Sequence, residues 1–355
     1  MNKIIYILLG TSLLMSCDNN YYMDEVVDVS FDDTKITELK EDTVTLEDPI
    51  TGQSYIKDSL LLMYSSNYND FLMRVYRLVD GKRIASLLPI GNTKDEFPRR
   101  LKIQWGESDE ISNGEWGMWT YDRAKGEYKL VNISRSVKEN TTIVDSIIKY
   151  NNVKAGFRYA FGKVYFGHDY IYARMQEYKQ DDDDEICVPV KYYKCEVSNR
   201  LEIIGDINVY KKGVSIDENM HSLSSYDTYN PFRGEIALAM GFLPQLNILN
   251  LGDGTVKGYC YEHYGSFKSV LQNRQKDKWI SVGIASNEKY IYVLTTEGCP
   301  NLFPPCGNII NVFDWEGNPI QRLRTPTRLS TISIDQDLLY GQDADYNCYQ
   351  YKIGY

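Results

Sequence analysis

One recurring pattern limits what this chain can fold into: an alternating apolar strand, a tight turn containing Gly, and a second alternating strand. Phe71-Leu72-Met73-Arg74-Val75-Tyr76-Arg77-Leu78 turns at Asp80-Gly81 into Arg83-Ile84-Ala85-Ser86-Leu87. Trp116-Gly117-Met118-Trp119-Thr120-Tyr121 passes through Ala124-Lys125-Gly126 into Tyr128-Lys129-Leu130-Val131. Asn247–Leu251 turns at Asp253-Gly254 into Val256–Tyr259, and Asn308–Trp315 turns at Glu316-Gly317-Asn318 into Ile320–Leu323. Each turn supplies Gly where a tight hairpin needs a positive φ. A further short strand precedes each hairpin, as in Ser59–Tyr64, Glu235–Ala239 and Tyr290–Leu294, so the unit is a three- or four-stranded antiparallel meander.

From Gly81 to Gly126 is 45 residues, and from Gly254 to Gly317 is 63. A small sheet repeated at such intervals cannot bury both faces alone and must pack against its neighbours, which is the arrangement of a β-propeller. Composition agrees. The chain has 30 Tyr against 11 Phe, and Tyr suits half-buried pleated surface, because its ring packs on a sheet while its hydroxyl reaches water. No window keeps apolar residues at helical spacing for three turns. The fold class expected is therefore all-β.

The first residues are an export signal. Lys3 precedes the apolar run Ile4–Gly10, and the segment closes on Leu13-Leu14-Met15-Ser16-Cys17. The apolar run is too short to cross a bilayer, which takes ~20 residues. It resembles a bacterial lipoprotein signal, with Leu14-Met15-Ser16-Cys17 as lipobox and Cys17 as the lipidated residue. The expected organisation is signal peptide 1–16, lipid-anchored tether 17–30 and propeller 31–355. The expected localisation is the cell envelope, with the membrane as partner through the lipid. Asp18 after the lipid cysteine means retention in some bacteria and export in others; the outer membrane is the expectation adopted.

Towards the C-terminus, Asn311-Val312-Phe313-Asp314-Trp315-Glu316-Gly317-Asn318-Pro319 is followed by Ile332–Gly341 with its Leu339-Tyr340-Gly341, then by Tyr349-Gln350-Tyr351-Lys352-Ile353. These segments resemble the last blades of the TolB-like six-bladed β-propeller lipoproteins of Gram-negative anaerobes. The match is specific in the C-terminal third and architectural elsewhere. The resemblance implies a six-bladed propeller and a lipid anchor, with no settled activity. Because the C-terminal segments supply too few strands for a full blade, Lys35-Ile36-Thr37-Glu38-Leu39 is expected to pair into the last blade and close the ring.

The net charge of −10 and pI near 5.0 argue against nucleic acid as a partner, because phosphate contacts need a basic surface. Only His168, His221 and His263 occur, with no metal-binding spacing, so neither a metal nor a cofactor is expected. Setting Cys17 aside, Cys299 and Cys306 bracket a Pro-rich loop and Cys187 and Cys195 bracket a strand-like run; both are candidate disulfides in an exported chain. The acidic run Asp181–Glu185 reads as a solvated hairpin tip. Candidate ligand-binding residues are Arg99 and Arg100, which could clamp a carboxylate or sulfate, Trp105 and Trp119, which could stack on sugar rings, and His168. Trp116 and Trp119 differ in strand parity, so at least one should point into the core. The function expected is a non-catalytic binding or scaffold protein with a protein, peptide or glycan ligand. The rival is a metal-dependent hydrolase or lyase of the propeller type.

Overall fold

In the computed structural model, the described residues are 26–354 except 33, 49–51, 100, 113, 123–124, 150–156, 167–170, 182–183, 198–200, 209–224, 263–278 and 297–304. Three short strands open the chain: β1 (Val26–Asp28), β2 (Ile36–Glu38) and β3 (Glu41–Val44). A first sheet follows, of β4 (Gln53–Lys57), β5 (Leu60–Tyr64), β6 (Phe71–Arg77) and β7 (Arg83–Pro89). The second holds β8 (Lys102–Ser112), β9 (Glu115–Asp122), β10 (Glu127–Asn132) and β11 (Val144–Lys149), with the helix α1 (Ile133–Glu139) between the last two. The third is β12 (Phe157–Phe166), β13 (Ile171–Asp181), β14 (Asp184–Val197) and β15 (Leu201–Asn208). The fourth is β16 (Ser225–Asn230), β17 (Glu235–Met240), β18 (Gln245–Asn250) and β19 (Val256–Cys260). The fifth is β20 (Ser281–Ser286), β21 (Tyr290–Thr295), β22 (Gly307–Asp314) and β23 (Pro319–Leu329). The sixth joins β24 (Thr331–Asp335), β25 (Leu338–Gln342) and β26 (Cys348–Lys352) to the N-terminal β3.

The hairpins fall where the glycines place them. Gly81, Gly126, Gly254 and Gly317 all have positive φ, between +62° and +83°. Each sheet is an antiparallel meander whose faces are covered by its neighbours, and the apolar clusters lie at those seams. Leu72, Val75 and Leu87 of the first sheet pack with Trp116, Met118 and Val131 of the second. Tyr292, Leu294, Ile310 and Val312 of the fifth pack with Leu339 and Tyr351 of the sixth. Val44, Tyr340 and Cys348 of the sixth pack with Ile56, Leu61, Met63 and Tyr76 of the first. This radial packing is that of an all-β propeller.

Tyrosine works at these seams as its chemistry suggests. The Tyr76 ring is buried while its hydroxyl donates to Asp48 at 2.9 Å, and Tyr351 is fully buried with its hydroxyl on Glu41 Oε2 at 2.9 Å. Further hydrogen bonds cross between sheets: Ser54 Oγ donates to Gln342 Oε1 at 3.1 Å, and Thr228 and Ser286 share a hydrogen bond of 2.8 Å.

Closure by the N-terminal chain takes a different course from the one expected. Ile36–Glu38 pairs in parallel with Arg322–Arg324, on the outer edge of the fifth sheet. The strand that completes the last sheet is Glu41–Val44, antiparallel to Cys348–Tyr351. Its acidic start looks like tether in sequence, yet an edge strand needs only one apolar residue to face the core. Val44 does so, and Asp42 and Glu41 find donors in Gln350 Nε2 and the Tyr351 hydroxyl. The sheet structure also begins earlier than expected: Val26–Asp28, inside the segment assigned to the tether, pairs in parallel with Gly258–Cys260 of the fourth sheet. The N-terminal chain thus adds an edge strand to three consecutive sheets.

Deleting residues 18–45 removes all three edge strands and should yield aggregates by size-exclusion chromatography. Deleting 18–25 leaves every strand in place, and the protein should elute and melt as the parent does. Gly81 sits at φ +65°, where a Cβ would meet the Thr45 carbonyl oxygen of the segment leaving β3. Gly81→Ala is therefore expected to cost about 2 kcal/mol in a urea titration.

Candidate functional site

The third sheet carries an unusual face. On an extended strand, alternate residues share a face, and residues directly opposite on neighbouring strands have Cβ atoms about 5 Å apart. Lys163 lies opposite Arg174, Tyr165 opposite Tyr172, and Arg174 opposite Tyr192. Lys163, Tyr165, Tyr172, Arg174 and Tyr192 therefore project together from β12, β13 and β14. The fourth sheet meets them with Asp227 and Tyr229 of its first strand.

Asp227 is the hub. Its carboxylate lies 2.8 Å from Lys163 Nζ through Oδ1 and 2.6 Å from Arg174 Nη1 through Oδ2. The Tyr165 hydroxyl also donates to Oδ2 at 2.6 Å, and Lys163 Nζ donates to the Asp227 backbone oxygen at 3.1 Å. The Asp227 side chain is only 6% exposed, whereas Lys163 and Arg174 retain 20% and 19%. Tyr rings wall the cluster: Tyr165 stands edge-on to Tyr229 at 5.5 Å and tilted to Tyr192 at 6.1 Å between centroids. The Tyr192 hydroxyl is buried, with the Tyr165 hydroxyl beside it.

Electrostatics fix the protonation of each group. Burial alone would push the Asp227 carboxyl up, but the charges of Lys163 and Arg174, with their hydrogen bonds, hold it far below the usual carboxylate range. Burial would also weaken the Arg174 charge, yet Asp227 more than offsets this and raises the guanidinium further. Burial drives the Tyr192 hydroxyl up, so it stays protonated. None of these three groups exchanges a proton near neutral pH. The arrangement is suited to holding charge, and a general acid or base would need a group poised near 7.

The residues singled out in sequence fare differently. Arg99 is a structural clamp: Nη1 donates to the carbonyls of Ser66 and Tyr68 at 3.1 and 2.9 Å, and Nη2 to that of Asn69 at 3.3 Å. Three of its five donors hold the β5–β6 loop, a structural role in place of the ligand clamp expected from sequence. Trp119 is 4% exposed and Trp116 3%, so both are core, and Trp119 offers no stacking surface. The parity expectation that at least one is core holds, and both are, because β9 is a central strand covered on both faces. Cys187 and Cys195 lie on the single strand β14, and eight residues of extended chain span ~26 Å. Their Cα atoms cannot approach the ~7 Å that a disulfide allows, which rules out that pair. Cys306 is buried, while its expected partner Cys299 lies outside the described residues. Cys17, Arg100 and His168 also lie outside them, as does the Trp105 side chain, although the backbone of Trp105 belongs to β8. The acidic run joins β13 to β14, with Asp181 opposite Asp184. The Lys163–Arg174–Asp227 cluster was not anticipated. Its signal was a basic residue two positions from a Tyr in each of two neighbouring strands, Lys163 with Tyr165 and Arg174 with Tyr172.

Among the described residues no three His, Cys, Asp or Glu side chains come together as metal ligands, and no helix is long and apolar enough to cross a membrane. No protein-family model matches the chain. No curated protein matches it in sequence. Solved structures do resemble it. A candidate exported protein from Bacteroides fragilis is similar at a TM-score of 0.52 and 10% identity, covering 93% of this chain and 99% of that one. A member of the DUF4221 family from Bacteroides vulgatus gives 0.46 at 8% identity over 90% and 98% of the two chains. A gluconolactonase from Xanthomonas campestris gives 0.46 at 10% over 89% and 90%. At these identities the likeness of the first structure speaks for the fold alone.

Replacing Asp227 by Asn would leave two cations without their counter-charge, and should cost about 3–5 kcal/mol at neutral pH by chemical denaturation. The contribution of Asp227 is fully present above its unfolded pKa of about 3.9 and is lost as pH falls toward the depressed folded value. The stability gap between parent and Asp227→Asn should therefore narrow when the comparison is repeated near pH 3.

Proposed function

We propose that this chain is a lipid-anchored binding or scaffold protein of the cell envelope, in which the six sheets are the six blades of one closed ring. The lipobox-like Leu14-Met15-Ser16-Cys17 supports the anchor. The antiparallel pairing of β3 with β26, which puts both ends of the chain in one sheet, supports the ring. The C-terminal motif from Asn311 to Ile353 supports kinship with the TolB-like propeller lipoproteins, and the likeness to a candidate exported protein of Bacteroides fragilis supports an envelope location. We place it at the outer membrane, with a protein, peptide or glycan ligand at a propeller face or at the axis.

The observation that carries a binding role over catalysis is the Asp227 cluster. Its carboxylate is held ionised, Tyr192 is held protonated, and Arg174 is held charged, so the cluster presents fixed polarity and no proton to move at neutral pH.

Metabolic labelling with an alkyne palmitate analogue should mark the parent protein and not Cys17→Ala, and the variant should leave the membrane fraction. Labelling of the variant, or absence of labelling in the parent, would overturn the anchor. Stoichiometric metal retained through purification, with a hydrolytic activity lost on chelation, would instead favour the metal-dependent enzyme.

A further inference from the structure

Turns of the fourth and fifth sheets meet at one corner of the molecule. The backbone N–H of Leu251, at the start of the β18–β19 turn, donates to the Gly234 carbonyl in the β16–β17 turn at 2.9 Å. Arg233 then crosses to the next sheet: its Nε pairs with Glu235 at 2.6 Å and its Nη2 with Glu316, in the β22–β23 turn, at 2.7 Å. Phe232 is presented from this frame. Asn230 Oδ1 accepts from the backbone N–H groups of Phe232 and Arg233 at 3.1 and 3.3 Å, which holds the turn in shape while Phe232 itself is 71% exposed. Ile320, just after the β22–β23 turn, is 38% exposed, and Val27 of β1 is 57% exposed. Val27 lies opposite Tyr259, whose ring packs against Gly317 of that same turn. Three outward apolar side chains from separate parts of the chain thus gather around the seam of two sheets.

The N-terminal chain arrives at this corner. β1 runs parallel to β19 with Val26 opposite Gly258, so the chain enters the sheet at the end of β19 that follows the Asp253-Gly254 turn. Val26 lies nine residues after Cys17, and nine residues reach about 30 Å at full extension. A domain of this size is roughly 50 Å across, so a lipid on Cys17 keeps this corner nearer the bilayer than the far side of the molecule. We propose that the corner formed by Val27, Phe232 and Ile320 docks on the bilayer that holds the Cys17 lipid, with Phe232 entering the interface. Apolar and aromatic side chains buried at the level of the headgroups add their own area to the hold of a lipid chain. Arg233 is matched by Glu235 and Glu316, and the chain carries −10 overall, so the attraction comes from apolar burial and the surface that fits is zwitterionic lipid. This inference rests on the lipid anchor proposed above and adds which part of the propeller faces the membrane.

The test uses the lipidated chain purified from membranes and placed in phosphatidylcholine vesicles, with photoreactive benzoylphenylalanine replacing Phe232, Ile320 or Tyr346 one at a time. Tyr346, 47% exposed in the β25–β26 turn of the sixth sheet, is the control. All three positions are exposed, so the variants should fold as the parent does. On illumination, positions 232 and 320 should label phosphatidylcholine and position 346 should stay at background, while mass spectrometry of the same samples records the lipid on Cys17. Adding Phe232→Ser should lower the transfer from position 320 by about tenfold, as expected when the interface loses a Phe side chain. Unchanged transfer from position 320 in that variant, or equal transfer from 232 and 346, would overturn the assignment. So would a large rise in transfer when phosphatidylglycerol is mixed into the vesicles. Crosslinking of position 232 to a second copy of the chain in place of lipid gives the corner to self-association and ends the membrane reading. Lipid on Cys17 without transfer from position 232 removes the docking face and leaves the anchor standing, whereas a chain without lipid on Cys17 removes the anchor and the docking face with it.

Discussion

Four residues near the start of the chain, Glu41 to Val44, pair with Tyr351 to Cys348 near its end, and the architecture depends on that antiparallel contact. A meander of three strands cannot cover the face of its neighbour, and a row of sheets has two exposed ends. By giving the sixth sheet its fourth strand, β3 ties the ends together through backbone hydrogen bonds and seats Val44 in the apolar cluster shared with the first sheet. The chain leading into it adds β1 and β2 to the edges of the fourth and fifth sheets, so three edges that could recruit another chain are covered.

Given closure, the sheets pack against their neighbours, and the seams between them decide both stability and chemistry. Most seams are built from aliphatic side chains with tyrosines whose hydroxyls reach carboxylates at the rim. Tyr76 with Asp48 and Tyr351 with Glu41 are examples. The seam between the third and fourth sheets departs from this. It places an Asp, a Lys and an Arg among tyrosines, at a position where leucines and valines would pack at lower cost. Breaking such a cluster is destabilising, while replacing all of it by apolar residues is often neutral or favourable. Stability alone therefore does not account for its presence.

Much of the fold was legible from local chemistry. Glycine turns at Gly81, Gly126, Gly254 and Gly317 and the alternating strands around them located the hairpins, because positive φ and period-two patterning are properties of short segments. The pairing of the strands on either side of the acidic run, Asp181 with Asp184, was legible for the same reason. The edge strands were not. Val26–Asp28 and Glu41–Val44 are short and polar, and their strand character comes from the sheet edges they meet.

What the sequence by itself determined was the all-β meander, its turns and its tyrosine-rich sheet surface, all of which follow from residues within a few positions of one another. Only the tertiary structure decided which N-terminal strand closes the last sheet, that Trp119 lies in the core, and that Arg99 holds backbone carbonyls of the β5–β6 loop. It alone also brought Asp227 against Lys163 and Arg174, which stand 64 and 53 residues away along the chain. The physical reason is the same in each case: burial of a strand face and pairing of a charge depend on the neighbouring sheet, and which sheet is the neighbour is settled only when the whole chain packs.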